Sequence, residues 1–313
     1  MLEALATARF LTATALEWIA FPDRRPMWEA DMQARREQRD LPPYKPGRVV
    51  YRRLSTLESA GLIHRIPRPI ARAGHGGGRD PDLFMLTPLG AAVLVETTTL
   101  DPDRIAAFRI RPRSSFTTNH SAEIGQIYAA LRAKIAMMEG IALSDWRGDH
   151  LTARAYDQVT VMRQQRGSMV RMQLPVVPDG SFVLIHPKGK LQVFIEVDRA
   201  TRRIETWRDK IAAYAAYGGS AALQARYQTD SFVLLTVTPT ATQRDKVMRA
   251  TAQVLGQGNA RYLFTLHEAV HPLRIGNAWQ RIGQIERSMQ PTGLNGQLVE
   301  RVTVEAIPHV FLQ

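Results

Sequence analysis

The chain has 313 residues, 45% of them hydrophobic and 22% charged. That is enough for about two domains with buried cores and too apolar for wholesale disorder. It contains no cysteine, which excludes disulfides, thiolate zinc sites and a cysteine nucleophile and leaves His, Asp and Glu as the strong metal ligands. Lys and Arg number 41 against 29 Asp and Glu, a net +12, and a basic excess of this size points to a polyanionic partner. Residues 1–113 carry 18 basic and 13 acidic side chains, net +5, which leaves 23 and 16, net +7, for the rest. Both halves could therefore face the same polyanion. No apolar run approaches the roughly 20 residues of a membrane span. The N-terminus carries Glu3 and Glu17 and lacks a basic start, so it does not read as a signal peptide. A soluble, cytoplasmic protein with no membrane partner is expected.

Leu11 to Ala20 reads as a helix with Thr12 or Thr14 as cap. Met27 to Asp40 reads as a second, solvated helix, and the proline-rich LPPYKPG as a loop. From Arg48 to Ala60, Val50, Leu54, Leu57 and Ala60 recur on one helical face while Arg48, Tyr51, Arg52, Thr56 and Glu58 lie on others. Gly61 is a natural stop in the left-handed region. LIHRIPR alternates like a strand, AGHGGGRDPD is a glycine-rich tip, LFMLT is a second short strand, and Thr87-Pro88 opens another helix.

This order, with the phrase YRRLSTLESAGLIHR…LFMLTPLG, resembles the winged helix-turn-helix domains of bacterial regulators. The resemblance implies that the helix after the turn enters the major groove of double-stranded DNA. It places Lys45, Arg48, Tyr51, Arg52 and Ser55 on the reading element, and Arg65, Arg68, Arg72, His75 and Arg79 on or near the wing. Arg and Lys would supply phosphate contacts and bidentate reading of guanine. As plain structure, the same charges form the wet face of a helix, and winged helices also serve as protein-docking modules. The expected division is a winged-helix domain over 1–100, a linker over 101–115 ending in the basic Arg109–Arg113 stretch, and an α/β domain over 116–313.

In the second half, Asn119 to Met138 reads as a helix. Met169–Val177, Phe182–His186, Leu191–Asp198, Ser231–Val237 and Tyr262–Leu266 read as strands, and Ile204–Tyr217 and Ala241–Leu255 as helices. Strands alternating with helices indicate a mixed-sheet α/β domain. Asp179 follows Pro178 at a strand end, and a hairpin through 187–190 could bring it beside Glu196. Glu196 and Asp198 lie two apart on one strand and so share a face. Three gathered carboxylates repel unless a cation sits between them, and Mg²⁺ or Mn²⁺ with water and phosphate oxygens is the expected cofactor. Lys210 on the next helix could add a positive charge at that edge. Equally, Glu196 and Asp198 could pair with Arg199, Arg202 or Arg203 as an ordinary ion-pair cluster. Trp207, Lys210, Tyr214 and Tyr217 form a helical stripe that reads as packing before stacking on bases. His267-Glu268-x-x-His271 matches a zinc-peptidase string, but Pro272 and the preceding strand argue against the long helix it needs.

His120, Pro178-Asp179-Gly180, Glu196-Val197-Asp198-Arg199, Lys210 with Tyr214, and PLRIGNAWQRIG near the C-terminus together resemble the replication-relaxation family of plasmid and mobile-element proteins, over nearly the whole chain. The C-terminal pattern is also similar to PD-(D/E)xK nucleases. That likeness implies catalytic and metal-binding roles for Asp179 and Glu196 and an acidic role for Glu123. Asp198 stands where the nuclease lysine should be, and Lys210 is the candidate replacement. These resemblances imply a DNA-binding protein whose partners are duplex DNA and a relaxase or replication protein. Two alternatives stand beside it: a Mg²⁺-dependent endonuclease or nickase, and a transcriptional repressor whose C-terminal domain forms a homodimer.

Overall fold

In the computed structural model, residues 1–37, 44–68, 80–101, 115–165, 167–256, 261–292, 297–309 and 312 are described. Residues 102–114 of the predicted linker and residues 69–79, which hold most of the glycine-rich tip with Arg72, His75 and Arg79, lie outside them. The protein is a mixed α/β chain that divides into two compact units, residues 1–151 with 270–275 and residues 152–269 with 276–313.

The N-terminal unit opens with α1 (Leu2–Ala8), a two-residue strand β1 (Leu11–Thr12) and α2 (Ala13–Ala20). The Thr12 side chain accepts from the Ala15 amide and caps α2. Next come α3 (Arg25–Glu37) and α4 (Arg48–Ser59), then β2 (Ile63–Ile66), β3 (Leu83–Leu86) and α5 (Pro88–Thr97). The strands form a small antiparallel sheet in the order β1-β3-β2. The helix expected over 27–40 forms as α3 but is not simply solvated, because Trp28 on it is 1% exposed.

α6 (Ser115–Ile135), expected in the C-terminal domain, belongs to the N-terminal unit. Its Ala122 joins Phe10, Leu83 and Met85 in one buried cluster. Its backbone also approaches the chain after α1 so closely that a Cβ on Gly125 would sit 2.3 Å from the Phe10 carbonyl oxygen. A stripe of apolar residues says only that a helix packs; which unit it packs on is a tertiary fact. β4 (Ala142–Gly148) and the single turn α7 (Asp149–Thr152) follow.

The C-terminal unit contains a two-stranded ribbon, β5 (Asp157–Gln165) with β6 (Ser168–Val176), and six strands of a mixed sheet. These are β7 (Gly180–His186), β8 (Gly189–Val197), β9 (Phe232–Thr238), β10 (Tyr262–Leu266), β11 (Trp279–Thr292) and β12 (Gln297–His309), in the order β12-β11-β10-β9-β8-β7. β8, β9 and β10 run parallel, and the outer pairings are antiparallel. The parallel links carry α8 (Ile204–Tyr217), α9 (Ala221–Tyr227) and α10 (Ala241–Leu255), as crossovers between parallel strands require. The core packs Phe194, Phe232, Leu234 and Phe264 of the sheet against Trp207, Ile211, Tyr214 and Tyr217 of α8 and Val247 and Met248 of α10. Among the described residues no helix is long and apolar enough to cross a membrane.

Candidate functional site

Two places gather the residues singled out from the sequence. The first is the open face of α4. Val50 and Leu54 bury its inner side, while Arg48, Tyr51, Arg52, Arg53 and Ser55 are exposed and Tyr51 presents 49% of its surface. Among the described residues none of these three arginines has a carboxylate partner. Lys45, just before the helix, is exposed as well.

The start of α4 is held by a buried acid. Glu17 of α2, 0% exposed, accepts from the Gly47 amide at 2.9 Å and pairs with Arg24 at 2.5 Å. At the far end Gly61 takes φ +69, and its carbonyl accepts from the Thr87 hydroxyl, which in turn accepts from the Gly90 amide to cap α5. The wing-side arginines are more engaged. Arg65 pairs with Asp82, with Nε at 2.6 Å, and Arg68 donates to the Pro81 carbonyl at 2.7 Å and lies 3.9 Å from Asp80. Burial lowers the Arg68 pKa, against the pull of Asp80, Glu123 and Asp82. Arg68 is thus placed to fasten the base of the hairpin, and Glu123 of α6 belongs to its electrostatic surroundings.

The second place is the carboxyl end of the parallel strands. Antiparallel pairing of β7 with β8, Gly180 opposite Ile195, brings Asp179 level with Glu196, as the hairpin reading expected. The Asp179 amide donates to the Ile195 carbonyl and its carboxylate accepts from the Val197 amide at 2.8 Å, so Asp179 closes the end of the hairpin. Glu196 is 0% exposed. Lys210 and Tyr214, four apart and hence on one face of α8, both reach it: Lys210 Nζ binds Oε2, and the Tyr214 hydroxyl donates to Oε1 at 2.6 Å. Lys210 Nζ also stands 4.0 Å from Asp179, and Arg202 3.9 Å from it. Burial, and then Asp179, push the Glu196 carboxyl up to about 8, with Lys210 and Tyr214 pulling the other way. Burial beside Glu196 raises Tyr214 well above its ordinary value.

Asp198 does not join this group. β8 ends at Val197; the Asp198 carboxylate accepts from the Ala200 amide at 3.2 Å and from the Gln243 side chain. Ala200 adopts φ 58 and turns the chain away, so strand alternation no longer governs where Asp198 points. Among the described residues no three His, Asp or Glu side chains are placed to share a metal ion. The cluster therefore offers two carboxylates, Asp179 and Glu196, with one ammonium between them.

Sequence reasoning did not single out Gln243, or Thr236, whose buried hydroxyl lies beside Glu196 in register and makes no hydrogen bond among the described residues. A polar residue inside an apolar strand, as in SFVLLTV, was the available signal for Thr236. The aromatic stripe is packing: Tyr214 and Tyr217 lie against Phe194 and Phe232 with ring centroids 4.9 to 6.4 Å apart across this group. The HEAVH string forms only a single 3-10 turn at His267–Ala269, not the helix that a zinc peptidase needs.

No characterised protein and no solved structure matches the chain. The replication-relaxation profile matches residues 2–231, most of the sequence, and takes in both α4 and the Asp179–Glu196–Lys210 cluster. The chain belongs to the replication-relaxation family.

Proposed function

We propose that this protein binds duplex DNA in the replication of a plasmid or related mobile element, through a winged helix-turn-helix in its N-terminal unit. The observation that carries the reading is the open face of α4, where Arg48, Arg52 and Arg53 stand exposed and Tyr51 and Ser55 lie among them. The order α1-β1-α2-α4-β2-β3 and the β1-β3-β2 sheet are the layout of a winged helix, which supports it. One departure is the stretch from α2 to α4, which contains α3 and exceeds the three or four residues of a tight helix-turn-helix. Duplex DNA is the expected ligand, with α4 in the major groove; a relaxase or replication protein is the expected protein partner.

The test is fluorescence anisotropy on a duplex across a salt series, comparing wild type with Arg48→Ala/Arg52→Ala. If both arginines neutralise phosphates, the slope of log affinity against log salt falls by about 2. Unchanged affinity and slope in the double variant would remove α4 from the interface.

A second reading, metal-dependent cleavage of a phosphodiester, is favoured by the convergence of Asp179, Glu196 and Lys210. Two carboxylates are hard-oxygen ligands of the kind Mg²⁺ or Mn²⁺ takes alongside water and phosphate. Asp179 and Glu196 would hold the ion, which would supply an activated water when bound. Lys210, already between the carboxylates, would turn to a phosphate oxygen, and Asp198 would stay with Gln243. Nicking of supercoiled plasmid with Mg²⁺ or Mn²⁺, abolished in Asp179→Ala and Glu196→Ala while DNA binding persists, would establish this activity. Tight binding with no nicking under either metal would leave DNA binding alone.

A further inference from the structure

Residues 158–176 contain three arginines, four glutamines and no carboxylate. They make up nearly all of the β5–β6 ribbon, which pairs from Asp157 opposite Val176 to Gln165 opposite Ser168 and, among the described strands, forms a sheet of its own. An isolated two-stranded ribbon is only marginally stable, and this one is held along one face. Val159, Val161, Leu174 and Val176 pack into the α8 cluster. Arg163 reaches Asp209 of α8 at 2.8 Å, and at the base Asp157 takes Arg226 and the Tyr217 hydroxyl.

Alternation turns the intervening residues outward. Gln158, Thr160, Met162, Arg171 and Gln173 are all exposed, and Met162 and Met169 present 55% and 60% of their surface. Gln173 donates to Thr160 at 2.8 Å across the strands, and Arg171 stands opposite Met162. The face is thus rigidly backed, uncovered and free of negative charge.

We propose that this outer face is a second duplex-DNA contact, laid into the major groove; the proposal rests on the DNA-binding reading above and adds a separate surface to it. The major groove, about 12 Å wide, admits a two-stranded ribbon as readily as a helix. Nine residues of strand extend about 30 Å, a length comparable to one turn of the duplex. The side chains are those that read base edges: glutamine pairs with adenine N6 and N7, arginine with guanine O6 and N7, and apolar groups meet the thymine methyl. Freedom from carboxylates from Gln158 to Val176, with Asp157 at the base turned inward to Arg226 and Tyr217, suits a surface pressed against phosphates; docking to another protein does not require it.

The experiment uses the full chain and duplexes that wild type selects from a random pool, with anisotropy over a salt series. Four variants are compared: Arg171→Ala with its conservative control Arg171→Lys, Gln158→Ala/Gln173→Ala, and Arg48→Ala/Arg52→Ala on α4, each checked for wild-type circular dichroism. Arg171→Ala is expected to weaken binding and lower the salt slope by about 1, and Arg171→Lys to restore the slope. The glutamine pair is expected to lose about tenfold or more in preference for the selected over a scrambled duplex. Wild-type affinity, slope and preference in both ribbon variants, with loss only in the α4 variant, would overturn the ribbon contact and leave the α4 reading standing. Loss only in the ribbon variants would do the reverse. Equal losses on duplex and single-stranded DNA would overturn insertion into the groove, and a wild-type chain that binds no duplex at low salt would overturn both.

Discussion

Glu196→Gln tests the electrostatics of the acidic cluster directly. Glu196 is fully buried, and its carboxyl is raised from the ordinary 4.5 to about 8. The folded chain therefore holds a proton there that the unfolded chain has already lost, so this group's contribution to stability is fully present below pH 4.5 and disappears as pH rises through about 8. Each pH unit in that window costs about 1.4 kcal/mol, about 5 kcal/mol over the whole of it. Glutamine keeps the shape and an acceptor for the Tyr214 hydroxyl but cannot titrate. Urea unfolding of wild type and Glu196→Gln at intervals from pH 5 to 8.5 isolates the effect, because every other titrating group is common to both chains. The stability of wild type relative to the variant is expected to fall steadily across the series and to level off beyond pH 8. A difference that stays flat from pH 5 upward would mean that Lys210 holds Glu196 ionised throughout, and the account of the site as a proton-bearing cluster would be wrong.

Three further substitutions probe the frame around the sites. Gly125→Ala should destabilise the N-terminal unit by about 1–3 kcal/mol, since the new Cβ would meet the backbone carbonyl of Phe10 and not a yielding side chain; an unchanged melting temperature would contradict that close approach. Asp157→Asn removes the two-pronged contact with Arg226 and weakens the acceptor for Tyr217. Its arginine and tyrosine partners hold the Asp157 pKa below the ordinary 3.8 despite the opposing desolvation, so its stabilisation is present above that pH and lost as acid protonates it. The expected cost is about 1.5–3 kcal/mol at pH 7, shrinking toward pH 3, and a loss that persisted undiminished in acid would point to packing instead. Thr87→Ala deletes the cap of α5 and the hydroxyl bond to the Gly61 carbonyl that closes the end of α4. A cost of about 1 kcal/mol is expected and is measurable by chemical unfolding; a neutral result would show that the cap adds nothing to the packing of Pro88–Thr97.

What could be read in advance divides along physical lines. α8 and α10 match their expected ranges because their apolar residues recur at helical spacing, and α10 also starts on a capping side chain, Thr240. β10 likewise matches as a short run that is apolar but for Thr265. The hairpin that sets Asp179 against Glu196 was legible because a tight turn separates two apolar strands, and Lys210 with Tyr214 because helical spacing alone puts them on one face. Asp198 escaped because period-two reasoning holds only while the strand lasts, and the strand stops one residue short of it. β1 is two residues long, too short to show a period, and α1 is a small apolar run without a capping side chain. β11 and β12 mix polar and apolar residues over long stretches. The placement of α6 turned on a backbone approach at Gly125, which no pattern of side chains records.

The acidic cluster has a cost that bears on its purpose. Ionisable groups buried at the end of a sheet are costly to desolvate, and replacing buried ionic groups with well-packed apolar ones is often neutral or stabilising. Structure alone could fill the space between β8 and α8 with the aliphatic and aromatic residues that line the rest of that interface. The hydrogen bonds from Tyr214 and Lys210 hold Glu196 in one orientation, and Asp179 is tied to the backbone of β8, so the carboxyl groups are fixed as well as buried. A fixed, proton-bearing pair beside a lysine is costly to keep, and the proposed role in meeting a charged ligand is the reading that would account for it. The Glu196→Gln comparison measures that cost, and the nicking assay asks what it is spent on.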